Sequence, residues 1–295
     1  MTESKKKYTF IDLFAGIGGF HIAFHNLGAE CVFVSEWDDA ARKTYKANYQ
    51  KVSPKIFRDE KRLFAGDITK VDAKDIPDFD ILTGGFPCQP FSQAGLKKGF
   101  NEMRGTLFFD VARIIKEKQP RAFFLENVRG LLTHDNGKTF ATIKKVLTED
   151  LGYSLYYKII KASDYGVPQH RPRLYMVGFK NKNTPYEFPE PIPLKITMSD
   201  VWGGHVDKKI GFTLRVGGRH SGVNDRRNWD CYIVDGVERC MGPREGLRMQ
   251  GFPDSFIFPV SETQAMKQLG NSVAIPAIQA TAKNIIEALQ NEDLQ

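Results

Sequence analysis

The chain has 295 residues, 41% hydrophobic and 26% charged, with a formal net charge of +7. That length is enough to bury a large core, as one large domain with a smaller companion. No apolar run approaches the ~20 residues of a membrane span, and the start MTESKKKYTF lacks the apolar core of a secretory signal. A membrane role is thereby excluded and a cytoplasmic location expected. The positive balance favours a polyanionic partner.

The first 180 residues alternate strand-like and helix-like patterns. Residues 8–16 read as a buried strand, 19–28 as a short helix ending at Gly28, and 30–36 as the next strand. Asp38 opens a helix over 38–49, and 79–85 is a strand. An amphipathic helix over 105–120 is stopped by Pro120, and the apolar strand AFFLENV follows at 122–128. A helix near 137–149 and two strands, YSLYYKIIKA and RLYMVGFK, complete the series. Such alternation predicts an α/β fold: a doubly wound, mainly parallel sheet with helices on both faces. Near residue 181 a proline-rich stretch reads as a linker. Residues 203–251 are rich in Gly and Arg, with short strand candidates at GFTLRV and CYIVDG, and suggest a small, loop-rich second domain. The tail IPAIQATAKNIIEAL is an amphipathic helix able to pack back on the first domain. The expected division is 1–185 completed by 270–295, a second domain over 186–240, and a hinge over 241–269.

The cysteines are Cys31, Cys88, Cys231 and Cys240. None forms a Cys-x-x-Cys pair, so neither a zinc site nor a thioredoxin-type motif is indicated. Three suit small hydrophobic positions. His21 and His25 lie four apart, but no Glu stands between them as in a zinc protease, and no metal is expected.

Four constellations carry chemistry. DLFAGIGGF (12–20) sets Gly16, Gly18 and Gly19 at the first strand-to-helix turn, where a ligand can approach the backbone. Glu36, twenty residues past Gly16, is placed for ribose hydroxyls, and Trp37 offers a flat face to an adenine. The spacing G-x-G-G differs from the dinucleotide fingerprint, so a nucleoside cofactor without a pyrophosphate fits better. A ligand-free glycine turn remains open at this point.

Next, GGFPCQPFSQAG (84–95) puts Cys88 on a proline-fixed loop at the end of a strand, on the same edge. That makes it a nucleophile candidate if its surroundings favour thiolate. A lone buried structural cysteine is the plainer alternative. Glu126 ends the following apolar strand. Partial desolvation there raises a carboxyl's pKa and lets it donate a proton near neutrality, although a capping or ion-paired acid reads the same way. Finally, QHRPR (169–173) offers Arg171 and Arg173 on one face of an extended segment, aimed at an anionic or carbonyl-rich ligand or simply solvated.

Together these motifs resemble the cytosine-5 DNA methyltransferases, particularly the compact bacterial modification enzymes. The match runs in the family's order through DLFAGIGGF, SEWD, GDIT, GGFPCQPFSQAG, RGTLFF, LENVRG, DYGVPQHRPR, PREGLRMQGFPDSF and QLGNSVAIP. It covers roughly 8–180 and 242–280.

The resemblance implies methyl transfer from S-adenosylmethionine to carbon 5 of a cytosine flipped out of duplex DNA. Cys88 would attack carbon 6, Glu126 would act at ring nitrogen 3, and Arg173 would hold the carbonyl oxygen. Arg171 would steady the loop and a nearby phosphate, and the backbone of Phe86 and Pro87 would meet the exocyclic amine. Phe14, Gly16 and Gly18 would line the methionine end of the cofactor site, with Pro87 and Leu107 also contributing. Glu36 would take the ribose, Trp37 and Ile68 the adenine, and Asp67 its amino group, while Asn271 and Val273 would close the pocket. Ser92, Lys97, Lys98 and Arg104 would touch DNA from a loop flexing at Gly95 and Gly99. Arg215, Arg219, Arg226 and Arg227 of the second domain are candidates for base or phosphate contacts. That segment departs from the familiar relatives, so no recognition residues carry over.

A monomer is expected, with a cognate restriction endonuclease as possible partner. A tRNA cytosine methyltransferase, a silent DNA-binding homologue and a nucleotide-dependent oxidoreductase are the alternatives.

Overall fold

The computed structural model describes residues 7–87 and 106–294. A seven-stranded sheet organises the chain, in the order β3-β2-β1-β4-β5-β7-β6. Its strands are β1 (Thr9–Leu13), β2 (Glu30–Ser35), β3 (Phe64–Ala65), β4 (Ile81–Gly84), β5 (Ala122–Val128), β6 (Tyr156–Lys161) and β7 (Pro172–Phe179). The first five run parallel, while β7 pairs antiparallel with both β5 and β6. Near-continuous apolar runs such as AFFL in β5 arise because both faces are covered.

One apolar cluster fills each face. The first gathers Phe10, Phe24, Val34 and Phe124 with the helices α1 (Gly19–His25) and α10 (Ile275–Asp293). The second gathers Ile11, Phe33, Leu82, Phe123 and Leu125 under α5 (Leu107–Lys118) and α6 (Lys138–Lys145). Between α1 and α5, α2 (Asp39–Tyr49) follows β2, and the short α3 (Pro54–Arg58) and α4 (Glu60–Leu63) precede β3. Asp38 caps α2, its carboxylate accepting from Ala41 N at 2.9 Å, a contact of about 1 kcal/mol.

Beyond β7 the predicted linker carries no helix or paired strand, yet Tyr186 is buried in the first cluster. The same cluster continues through Met198, Trp229, Tyr232, Met241 and Leu247, so the Gly-Arg region shares a core with the sheet. Helices α7 (Met198–Trp202), α8 (Pro243–Gln250) and α9 (Glu262–Asn271) were not legible as separate elements.

GFTLRV is not a strand. Its backbone is taken up elsewhere: Gly211 N donates to Pro168 O at 2.8 Å, Phe212 N to the Tyr232 hydroxyl at 2.9 Å and Leu214 N to Gln169 Oε1 at 3.0 Å. CYIVDG does form a strand, β8 (Cys231–Val234), which hairpins onto β9 (Val237–Cys240). The turn residues Asp235 and Gly236 both have positive φ, 51° and 80°, as a tight hairpin turn requires. Cys231 and Cys240 face each other across this hairpin and are joined as a disulfide. The expectation of isolated small hydrophobic cysteines holds for Cys31, buried and free, and is corrected for this pair.

Candidate active site

The strand order reverses between β1 and β4, and ligands bind at the carboxyl edge of such a sheet where this occurs. A cleft of about 1550 Å³ opens there among the described residues. It is lined in turn by the ends of successive strands: Phe14 and Gly16 after β1, Glu36 and Trp37 after β2, and Asp67 and Ile68 after β3. Gly85, Phe86 and Pro87 follow β4, while Glu126 and Asn127 end β5. Leu107, Arg173 and Asn271 also line it. The residues themselves pointed to Gly16, Glu36, Trp37, Glu126 and Arg173, and the family resemblance added the others except Gly85 and Asn127.

The turn after β1 leaves its backbone open to the cleft. Phe14 has φ 54°, an uncommon conformation for a bulky residue. Gly16 has φ 56° with nothing within 4 Å of where a Cβ would stand. Its N–H donates to Glu36 Oε2 at 2.7 Å, and Asp38 N donates to Glu36 Oε1 at 2.8 Å. The carboxylate so held lines the cleft. Burial raises the Glu36 carboxyl above its ordinary value, against the lowering effect of those N–H groups.

Trp37 is 81% exposed, a bare aromatic face on the cleft wall, and Ile68 is buried nearby. Asp67 Oδ1 accepts from Thr69 N and Oγ1 at 3.0 and 2.8 Å, and Oδ2 makes a long ion pair with Lys70 Nζ at 3.9 Å. An acid for a diol, an indole face and an open glycine backbone fit a nucleoside cofactor. Gly18 and Val273 stand one layer back. A Cβ on Gly18 would lie 2.4 Å from the Tyr49 ring, and Val273 packs against Gly19.

Glu126 is buried at the other end of the cleft. Its Oε1 pairs with Arg173 Nε at 3.0 Å, and Oε2 would lie 3.5 Å from a Cβ on Gly85. Burial pushes its carboxyl up, with Arg173 and Arg171 pulling the other way. Asn127 Nδ2 donates to Phe86 O at 2.8 Å and so fixes the chain entering residue 88. Cys88, Ser92, Lys97, Lys98 and Arg104 lie outside the described residues.

Arg171 turns away from the cleft. It is buried, with Nη1 donating to Leu214 O at 3.1 Å and Nη2 to Gly270 O at 3.0 Å and to Ser272 O. Expected to steady a loop and a phosphate, it instead clamps the 214 segment to the turn before α10. Its two terminal nitrogens face carbonyls and the side chain is buried, so a phosphate contact is not what the structure provides. Arg219 is likewise turned inward, to Met241 O and Glu262 Oε1 at 2.9 Å each. Arg227 pairs with Asp225 at 2.7 Å, whereas Arg215 and Arg226 are exposed and make no ion pair among the described residues.

His21 is no metal ligand. It is buried between the Tyr45 hydroxyl at 2.5 Å and Ser53 Oγ at 2.9 Å, and burial lowers it to about 3. Sequence reasoning passed over Asn127, although it sits in the quoted LENV, and Gln268. Gln268 lines the cleft and accepts from Thr44 Oγ1 at 2.9 Å.

Comparison with known proteins decides the family. The description "C-5 cytosine-specific DNA methylase" fits residues 8–209 and 204–287. The chain belongs to that family. It is a DNA cytosine-5 methyltransferase, and membership implies S-adenosylmethionine as the methyl donor. Among relatives, the Type II methyltransferase M.SsoII of Shigella sonnei is 48% identical, covering 97% of this chain and 82% of that protein. M.HpaII of Haemophilus parainfluenzae is 44% identical over 97% of this chain and 91% of its own. M.HhaI of Haemophilus parahaemolyticus is 38% identical over 95% and 94%. Among solved structures, the Entamoeba histolytica methyltransferase EhMeth aligns with TM-score 0.72 at 17% identity, covering 99% of this methyltransferase and 100% of that chain. S. pombe Dnmt2 aligns at 0.71 and 21%, covering 98% and 100%. At those identities the structures support the fold of the methyltransferase.

Proposed function

We propose that this methyltransferase acts on a cytosine turned out of duplex DNA, with Cys88 as covalent nucleophile. A base inside the stack is out of reach of a side chain, so extrusion must precede attack. Cys88 follows directly on Gly85, Phe86 and Pro87, the three residues that line the cleft after β4, and that continuity supports its role. Its thiolate adds to carbon 6, and the ring electrons pushed toward nitrogen 3 meet the proton of Glu126. Arg173, held 3.0 Å from Glu126, orients that acid and faces the base's carbonyl oxygen. Carbon 5 is then nucleophilic. S-adenosylmethionine, when bound, supplies a methyl group activated as a sulfonium. Loss of the carbon 5 proton to a base expels the Cys88 thiolate, the proton on nitrogen 3 returns to Glu126, and the ring is restored.

The cofactor is held by Phe14 and Gly16 along the methionine chain, Glu36 at the ribose, Trp37 and Ile68 about the adenine, and Asp67 at its amino group. Leu107, Pro87 and Asn271 close the site. Residues 186–240 form the target-recognition region, in which Arg215 and Arg226 are exposed candidates to meet bases or phosphates. The protein serves as the modification part of a restriction–modification system with a cognate endonuclease, a reading that the names of the Type II relatives support. No helix among the described residues is long and apolar enough to cross a membrane, and a cytoplasmic monomer is the working assembly.

The observation that carries this reading is Glu126, buried with a raised carboxyl, sharing one cleft with Glu36, Trp37 and Gly16. The test is to incubate the protein with labelled S-adenosylmethionine and mixed-sequence duplex DNA, then map modified cytosines by deamination-resistant sequencing. Methylation confined to one short motif is expected. Label on tRNA and none on duplex would overturn both the substrate and the role of 186–240.

A further inference from the structure

The Gly-Arg region and the β8–β9 hairpin bring four metal-binding side chains to one point. His220, Asp230, Cys231 and Cys240 each present a ligand atom, and these atoms all lie within 4.8 Å of one another. Topology accounts for the meeting. Cys231 and Cys240 are direct partners in the hairpin register, and Asp230 immediately precedes the first of them. His220 is drawn over the hairpin because its backbone N–H donates to both Asp230 oxygens, at 3.3 and 3.1 Å. Its φ of 59° lies in the left-handed region, which histidine enters more readily than most side chains.

The carboxylate is the informative member. Asp230 is fully buried, and a buried carboxylate is costly unless well paired or bound to a metal. Its strongest contact is the single His220 N–H. The Cys231 sulfur stands 3.7 Å away, and Arg219 Nε, also at 3.7 Å, is beyond hydrogen-bond length. The His220 imidazole is exposed and makes no hydrogen bond among the described residues. A buried acid held by one backbone N–H and a long ion pair to Arg219, an exposed imidazole and two disulfide-bonded sulfurs thus converge at one point.

We propose that in its dithiol form this cluster binds one divalent cation of the zinc class. Two thiolates, an imidazole and a carboxylate make a four-ligand set suited to tetrahedral zinc, and the sulfurs disfavour magnesium or calcium. The structure holds the sulfurs as a disulfide, so a reductant, a thiol or a phosphine, must come first. It delivers two electrons, the S–S bond breaks and each sulfur takes a proton. Both protons leave as the thiolates bind the cation. Three anionic ligands on a doubly charged ion leave one negative charge, which the Arg219 guanidinium balances from beside Asp230. The cation ties the loop carrying Arg215 and Arg219 to the hairpin. Spacing gave no hint of this, because the cysteines stand nine apart and the histidine eleven before the first.

The full-length protein is reduced with a phosphine under anaerobic conditions, desalted, and titrated with Zn2+ against a chromophoric chelator, then in parallel with Co2+. The expected result is one zinc per chain, with a cobalt spectrum showing thiolate charge transfer and tetrahedral d–d bands. Both signals vanish in the Cys231→Ser/Cys240→Ser variant and in protein oxidised to the disulfide. His220→Ala, a change at an exposed side chain that leaves the core intact, weakens binding by at least about tenfold, the scale known for losing even an outer-shell partner. It keeps the test valid if the serine variant fails to fold. No uptake, uptake undiminished in the serine variant, or a cobalt spectrum without thiolate charge transfer would each overturn the proposal. None of these readouts depends on methylation.

Discussion

Replacing Glu126 by glutamine tests the chemistry of the cleft at one atom. The amide keeps the shape of the side chain and can still hydrogen-bond to ring nitrogen 3, but it has no acidic proton to give. Loss of positioned proton donation costs on the order of 10² to 10⁴ in rate, or roughly 3–5 kcal/mol of barrier. The pH dependence sharpens the test. Burial raises the Glu126 carboxyl despite Arg173 and Arg171, so the folded protein favours the protonated acid. Its contribution to stability is complete below the unfolded pKa and is lost as pH rises through the higher folded value. Transfer that needs the acid form declines over the same rise. Glu126→Gln is neutral throughout and shows neither trend. Single-turnover transfer of labelled methyl to duplex DNA, with enzyme in excess and pH varied, measures both. A loss of less than about tenfold, well under that range, or an unchanged falling limb in the variant, would refute the general-acid assignment.

Gly18→Ala places a Cβ 2.4 Å from the Tyr49 ring at a φ of 83°. The left-handed backbone costs about 1–2 kcal/mol and the overpacking about 1–3, so thermal unfolding should shift down by on the order of 5–10 °C; an unmoved transition would contradict the packing. Trp37→Ala removes the exposed indole face and should raise KM for S-adenosylmethionine by about tenfold, or 1.4 kcal/mol, with kcat little changed. A loss confined to kcat would remove the residue from cofactor binding. Arg215→Ala should weaken duplex binding and lower the salt slope by about one phosphate, while Arg219→Ala should lower thermal stability instead. Binding and melting curves for the two variants check this, and the reverse pattern would exchange their roles.

Much of the site was legible because the chemistry sits where strands end. Gly16, Glu36 and Glu126 each terminate an apolar run, and a parallel sheet brings such termini to one edge whatever the loops do, whereas Asp67 and Phe86 came from the family resemblance. The central strands read clearly for the same reason: burial on both faces leaves an unbroken apolar signature, as in β5. Residues 186–240 were read less well. Their backbone is organised by single long-range side chains, Gln169 and Arg171 onto Leu214 and Trp229 Nε1 onto Gly217 O, and none of these contacts leaves a periodic trace. Arg171 and Arg219 show the cost of judging an arginine by type. Both belong to basic stretches, yet both are turned inward onto backbone carbonyls. The Cys231–Cys240 pairing was hidden because it depends on the Asp235–Gly236 turn setting the register of a hairpin that composition alone did not suggest.

The most direct test of the covalent mechanism is trapping. A duplex carrying 5-fluorocytosine at the modified position is mixed with the enzyme and S-adenosylmethionine, then denatured, digested and analysed by mass spectrometry. Fluorine cannot leave carbon 5 as a proton does, so the step that expels the sulfur is blocked and the adduct persists. The account predicts a stable protein–DNA species with the cross-link on Cys88, absent from Cys88→Ala although that variant still binds the duplex. Free protein and free DNA alone, or a cross-link on Cys31, would contradict it.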